Sequence, residues 1–134
     1  MTASDHTILE YRVPYADTDQ MGVVYYANYL VYFERCRNEM LRRLGHPYVQ
    51  MEAQGCGLPV VEAHCDYQKP ARYDDLLEIH GWVGEAKGAR LQACCEVRRD
   101  GLLLAAGYTR HACVQIETQR PTRLPTEITA ALRS

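Results

Sequence analysis

No apolar stretch in this chain approaches the roughly 20 consecutive residues that a membrane-spanning helix needs. The N-terminal segment MTASDHTILEYR also lacks a charged start leading into an apolar signal region. Both absences favour a cytoplasmic protein with no membrane partner. No block of one charge sign stands out either: 15 basic and 17 acidic residues leave a formal net charge of −2. That balance excludes a broadly basic nucleic-acid-binding surface, while local basic patches remain able to hold a small anion. The six cysteines (Cys36, Cys56, Cys65, Cys94, Cys95 and Cys113) include no C-x-x-C pair and no spacing typical of structural zinc. They read as small buried hydrophobes in a reducing compartment, and no metal is expected. Internal repeats, low-complexity segments and composition shifts are missing as well. Residues 1–134 therefore read as one domain, long enough to bury its own core.

What is present is a clear periodicity. Ile8 to Val13 alternates as a strand does, and Pro14 stops it. Ala16 to Gly22 is rich in turn formers and reads as a loop. Beyond it, Tyr26, Leu30, Phe33, Met40, Leu41 and Leu44 form a stripe at helical spacing, interrupted by Arg37. Gly45 and Pro47 end that helix. Its start is open: Asn28 is the best cap by residue type, yet the stripe already includes Tyr26.

After the connection GCGLP from Gly55, the period becomes two. Val61, Ala63, Cys65 and Tyr67 share one strand face that Pro70 terminates. Leu77, Ile79, Gly81 and Val83 line the next strand. The loop Glu85 to Gly88 leads to Leu91, Ala93, Cys95 and Val97. Asp100-Gly101 is the strongest hairpin signal. A last strand is expected from Leu102 to about Ile116, followed by an irregular tail marked by Pro121 and Pro125. Strand, long helix, then four strands joined by short turns implies an α+β fold, an antiparallel sheet wrapped around one helix.

Chemistry concentrates just ahead of that helix, in YADTDQMGVVYYANYLVYFERCR from Tyr15. A carboxylate close to a helix N-terminus is favoured in its ionised form, so Asp19 can serve as nucleophile or general base. The unpaired N–H groups of the same terminus can polarise a carbonyl and hold a developing oxyanion. The alternative is that Asp17 and Asp19 only shape the turn, as Asx residues often do.

The same run resembles the signature of the hotdog-fold acyl-CoA thioesterases of the 4-hydroxybenzoyl-CoA thioesterase type. The matching elements are D-T-D (Asp17 to Asp19), G-V-V-Y (Gly22 to Tyr25), A-N-Y (Ala27 to Tyr29) and F-E-R (Phe33 to Arg35). KPARYDDLLEI, from Lys69 to Ile79, is similar too. The resemblance implies a five-stranded antiparallel sheet around one long central helix. It implies hydrolysis of an acyl-CoA thioester, with Asp19 as the catalytic carboxylate and the Tyr26 backbone N–H as the carbonyl polariser. It also implies a homodimer or homotetramer with sites at the dimer interface, and no cofactor, coenzyme A being part of the substrate. Some relatives carry a histidine where this chain has Tyr26, which leaves Asp19 to work with backbone donors.

Tyr25 and Tyr29 are the tyrosines nearest the expected site, and the remaining tyrosines suit core and interface anchoring. Lys87 and Arg90, around a Gly-containing hairpin, can meet coenzyme A phosphates or remain solvated turn charges. Glu62 is a distant second candidate for general base, and His46, His80 and His111 have no catalytic partner in sequence. Two rival readings stay open. A dehydratase on the same fold needs a histidine paired with a carboxylate, and none lies between Asp19 and Gly45. A non-catalytic module would bind an acyl group or a protein without turnover.

Overall fold

Period-two burial, strictly kept from Leu77 to Val83 and from Leu91 to Val97, builds the centre of a sheet with one face on the core. The computed structural model describes residues 6–131. Strands β1 (Thr7–Arg12), β3 (Val60–Tyr67), β4 (Leu76–Lys87), β5 (Arg90–Arg99) and β6 (Leu102–Ala112) form a five-stranded sheet in the order β1-β4-β5-β6-β3. All of its pairings are antiparallel. Asp100 and Gly101 take φ of 52° and 81°, the left-handed pair that a tight β5–β6 turn requires.

The long helix α1 (Asn28–Arg43) packs across one face of the sheet and divides the core. Its first half, with Tyr29, Tyr32, Phe33 and Cys36, packs on Leu77, Ile79, Val97 and Leu104. Its second half, with Met40 and Leu41, packs on Val83, Ala86, Leu91 and Ala93.

The buried face of α1 differs from the expected stripe. Tyr26 and Leu30 are exposed, whereas Tyr29, Tyr32 and Cys36 are buried. Tyrosine rings bury a large apolar area once their hydroxyls find partners. Here the Tyr29 hydroxyl accepts the Ala71 N–H at 3.1 Å, and the Tyr32 hydroxyl donates to Asp17 at 2.8 Å. Arg37, on the expected stripe, is mostly covered and donates to Thr109 Oγ1. The backbone cap of α1 is Ala27, so Asn28 is the first helical residue rather than the cap.

Three further expectations change. A short helix, α2 (Tyr48–Ala53), precedes the Gly-rich connection, and the tail contains another, α3 (Thr126–Ala131). The last strand stops at Ala112, and Val114–Gln115 (β7) pairs instead with Cys56–Gly57 (β2). Finally, β3 and β4 are not neighbours. β3 sits at the far edge beside β6, and residues 68–75 cross back over the N-terminal end of α1. That crossing is anchored by Gln68 and Lys69 N–H groups on the Leu104 carbonyl and by Val24 N–H on the Ala71 carbonyl. The Arg99–Asp75 ion pair at 2.7 Å fixes its far end.

Candidate functional site

The loop ahead of α1 folds as a miniature hairpin. Tyr25 N–H donates to Asp17 O, Asp19 N–H to Val23 O, and Gly22 N–H to Asp19 O. Gly22 takes φ of 79° to close the turn, a conformation that side chains disfavour. The Asp19 carboxylate accepts the Met21 N–H through Oδ1 at 2.8 Å and is exposed. No further hydrogen bond to that carboxylate exists among the described residues.

At the helix start, Asn28 N–H donates to Tyr25 O and Tyr29 N–H to Tyr26 O. The Tyr26 N–H, one residue ahead of the Ala27 cap, has no acceptor among the described residues. Tyr26 also lines a cleft of about 300 Å³, together with Val23, Val24, Tyr29, Tyr67 and Lys69, among others. Tyr67 packs edge-on against Tyr26 and Tyr29, with centroids 6.4 and 5.1 Å away, and donates its hydroxyl to Tyr26 O at 2.9 Å. Burial, then neighbouring Cys65, pushes the Tyr67 phenol up to about 12, so it stays a donor at neutral pH. The Tyr25 phenol lies above its ordinary range, chiefly through the Tyr26 hydroxyl and in smaller part through the negative charge of Asp19.

Asp17 has a different part to play. Its Oδ2 accepts hydrogen bonds from Tyr11 Oη at 2.7 Å and Tyr32 Oη at 2.8 Å. Its carbonyl accepts the Asn28 side-chain amide at 2.9 Å as well as the Tyr25 N–H. Burial first, and then the Asp17 carboxylate, raise the phenols of both Tyr11 and Tyr32, which keeps them in the donating form.

The profile of the thioesterase-like superfamily matches residues 13–132. The chain belongs to this superfamily. Among thioesterase-like relatives, it is 39% identical to acyl-CoA thioesterase YbgC of Haemophilus influenzae over 90% of this chain and 89% of that protein. A hypothetical protein from Thermus thermophilus has a similar structure, with a TM-score of 0.86, 41% identity and coverage of 96% and 95% of the two chains. A 1,4-dihydroxy-2-naphthoyl-CoA thioesterase from Synechocystis gives a TM-score of 0.88 at 26% identity, covering 96% of each chain. The sheet, helix and strand order of the thioesterase-like chain are those of the hotdog fold.

Asp19, Tyr25, Tyr26 and Tyr29 thus gather at one end of α1. Glu62, Lys87 and Arg90 do not join them within one chain. Glu62 lies on the outer face of the sheet, tied to Arg110 at 2.9 Å and to the Tyr108 hydroxyl at 2.7 Å. Arg110 and Tyr108 hold its carboxyl below the usual range, with Tyr108 the larger influence. Glu62 and Arg90 line a larger cleft of about 460 Å³ together with Glu85, Arg110 and His111. Lys87 and Arg90 flank the β4–β5 turn, beside the C-terminal half of α1. The 16 residues of α1 span about 24 Å, which separates them from Tyr26. The larger cleft lacks an unpaired helix terminus, so the smaller one is the better place for carbonyl chemistry. The sequence places Tyr67 only on a strand face and Lys69 only at the head of KPARYDDLLEI; what makes them cleft walls is the crossing over α1, which has no local signal.

His46, His80 and His111 are satisfied elsewhere. His111 Nδ1–H donates to Leu58 O at 2.9 Å, which leaves Nε2 to accept from Thr109 Oγ1 at 2.8 Å. Burial lowers the His111 pKa to about 4, with the nearby Arg37 charge acting in the same direction. His46 meets Glu127 at 2.8 Å, and His80 meets Glu78 at 3.1 Å. Among the described residues, no group of three or more His, Cys, Asp or Glu side chains is placed to hold a metal ion, and no helix is long and apolar enough to cross a membrane.

Proposed function

We propose that this protein hydrolyses an acyl-CoA thioester to a free carboxylic acid and coenzyme A. Asp19 either removes a proton from water, whose oxygen then adds to the thioester carbonyl, or adds to that carbonyl itself. In both routes the carbonyl oxygen becomes an oxyanion held by the Tyr26 N–H. Collapse of the adduct breaks the C–S bond and expels the thiolate, which takes up a proton. In the second route water then hydrolyses the mixed anhydride on Asp19. Neither route draws on a metal or a redox cofactor. The observation that carries this reading is the acceptor-free Tyr26 N–H at the start of α1, beside an aromatic-walled cleft and on the same loop-helix unit as an exposed Asp19. The names of the relatives, acyl-CoA and 1,4-dihydroxy-2-naphthoyl-CoA thioesterases, support it.

The working unit in this reading is a homodimer, or a tetramer built from it. β3 is an edge strand with seven of its eight residues exposed. Beside it runs a groove of about 280 Å³ between α1 and β3, lined by Leu30, Val31, Val60 and Ala63. A second copy pairing antiparallel along β3 covers both, which removes an edge that would otherwise invite aggregation. Such pairing brings the Glu62 end of one β3 beside the Tyr67 end of its partner. The Arg90–Arg110 cleft then adjoins the partner's Tyr26 cleft, where its guanidinium groups can meet coenzyme A phosphates.

The test is release of free thiol from a panel of short aliphatic, long aliphatic and aromatic acyl-CoAs, together with carrier-protein thioesters. Turnover of at least one coenzyme A ester is expected. A folded protein that binds these esters yet releases no thiol from any of them would overturn the reading in favour of a binding module.

A further inference from the structure

The hydrogen-bond pattern around Asp17 has a function of its own if Asp19 and the Tyr26 N–H act on one carbonyl. Asp17 is held at its N–H, its carbonyl and its Oδ2. Its carbonyl takes the Asn28 amide at 2.9 Å and the Tyr25 N–H at 2.9 Å. Its Oδ2 takes the Tyr32 and Tyr11 hydroxyls at 2.8 and 2.7 Å. Its own N–H is tied to Pro14 O at 3.1 Å. Asn28 and Tyr32 are four residues apart on α1 and therefore lie on the same side of the helix, one turn apart. Tyr11 reaches in from β1, with its ring 4.8 Å from that of Tyr32 and beneath the Arg35 guanidinium. Two residues beyond Asp17 comes Asp19. One residue beyond the Tyr25 N–H, which Asp17 holds, comes the Tyr26 N–H.

We propose that Asp17, gripped by Asn28, Tyr32 and Tyr11, is the positioning residue that fixes the Asp19 carboxylate relative to the Tyr26 N–H. This inference rests on the thioesterase reading above. The physical reason is that Asp19 sits on an exposed turn, held internally by one Asx bond and two backbone bonds. Such a turn can move as a unit against the helix. The Asn28 and Tyr32 bonds are the ones that join the turn's base to the helix whose terminus supplies the oxyanion donor. A displacement of about 1 Å between a reacting group and its partner can cost on the order of 10²-fold in rate. Asp17 itself touches no reacting atom in this scheme, and neither do the tyrosines.

The experiment compares wild type, Asn28→Ala, Tyr32→Phe and Tyr11→Phe, each alone and combined with Asp19→Asn, on one acyl-CoA. Tyr→Phe keeps the ring packing, so at least those variants are expected to fold. The expected result is a kcat lower by about tenfold or more for Asn28→Ala and Tyr32→Phe, with KM within about twofold of wild type. In the Asp19→Asn background the same changes should have almost no effect on kcat, because there is no carboxylate left to misplace. A purely structural role would instead lower the amount of active enzyme in both backgrounds alike. Wild-type kcat in folded Asn28→Ala and Tyr32→Phe, or an undiminished effect beside Asp19→Asn, would overturn the positioning role. Failure of the thioesterase mechanism is read separately, from Asp19→Asn alone retaining full turnover.

Discussion

Replacing Asp19 by Asn removes one negative charge and leaves nearly everything else in place. The amide oxygen of Asn can still accept the Met21 N–H that Asp19 Oδ1 accepts at 2.8 Å. The side chain is exposed, so no packing is lost. Stability should therefore change by less than about 0.5 kcal/mol, or a few degrees in Tm at most for a domain of this size. The chemical consequence is far larger. An amide neither attacks a thioester nor takes a proton from water at neutral pH. Loss of a general base or nucleophile of this kind costs about 10²–10⁴-fold in kcat, about 3–5 kcal/mol of transition-state stabilisation. KM should hold, because the oxyanion donor belongs to the backbone and the cleft walls are untouched. Asp17→Asn should give a mixed pattern. Two phenols lose a charged acceptor, which costs about 1–3 kcal/mol and several degrees in Tm, while kcat falls far less than for Asp19→Asn. The assay is steady-state thiol release on one good acyl-CoA, with thermal melts on the same preparations. Near-wild-type kcat in a folded Asp19→Asn protein would refute the mechanism and reduce the carboxylate to a turn residue.

Arg90→Ala should raise KM for coenzyme A esters severalfold at nearly constant kcat, and an unchanged KM in kinetics would return Arg90 to the solvated surface. Sedimentation at micromolar concentration should show a dimer or tetramer, and a fully active monomer would remove the shared-site model. His111 supplies a pH signature. Its folded pKa of about 4 lies below the ordinary 6.5, so the unfolded chain binds the extra proton between these values. Its neutral, buried form costs nothing in charge above about pH 6.5, and stability falls as pH drops from there towards 4, by at most about 3 kcal/mol. Melts from pH 7.5 to 4.5 should show this slope in the wild type and a shallower one in His111→Gln; equal slopes would exclude His111 as its source.

The elements of this fold are written locally. Alternation from Leu77 to Val83 and from Leu91 to Val97 suffices for strands, and Asp100-Gly101 suffices for the turn, because φ/ψ preference and side-chain period are properties of neighbouring residues. Asp19 was legible for the same reason: carboxylate, turn glycine and helix start are contiguous in the chain. Other features depend on what meets across space. The rotation of α1 turned on whether Tyr29 and Tyr32 would find hydroxyl partners, and those partners are Ala71, 42 residues away, and Asp17, 15 residues back. β3 lies at the sheet edge because its pairing with β6 leaves β4 to β1 and β5, a choice that two similar strand patterns cannot reveal. That placement carries Glu62 to the outer face, next to Arg110 and away from Asp19. It also sends residues 68–75 across the helix terminus, where Tyr67 and Lys69 become walls of the cleft. The carboxylate was visible as a residue with a chemistry. Its setting, an acceptor-free N–H and a loop held to the helix through Asp17, exists only once distant hydroxyls and amides have been brought within 3 Å of one another.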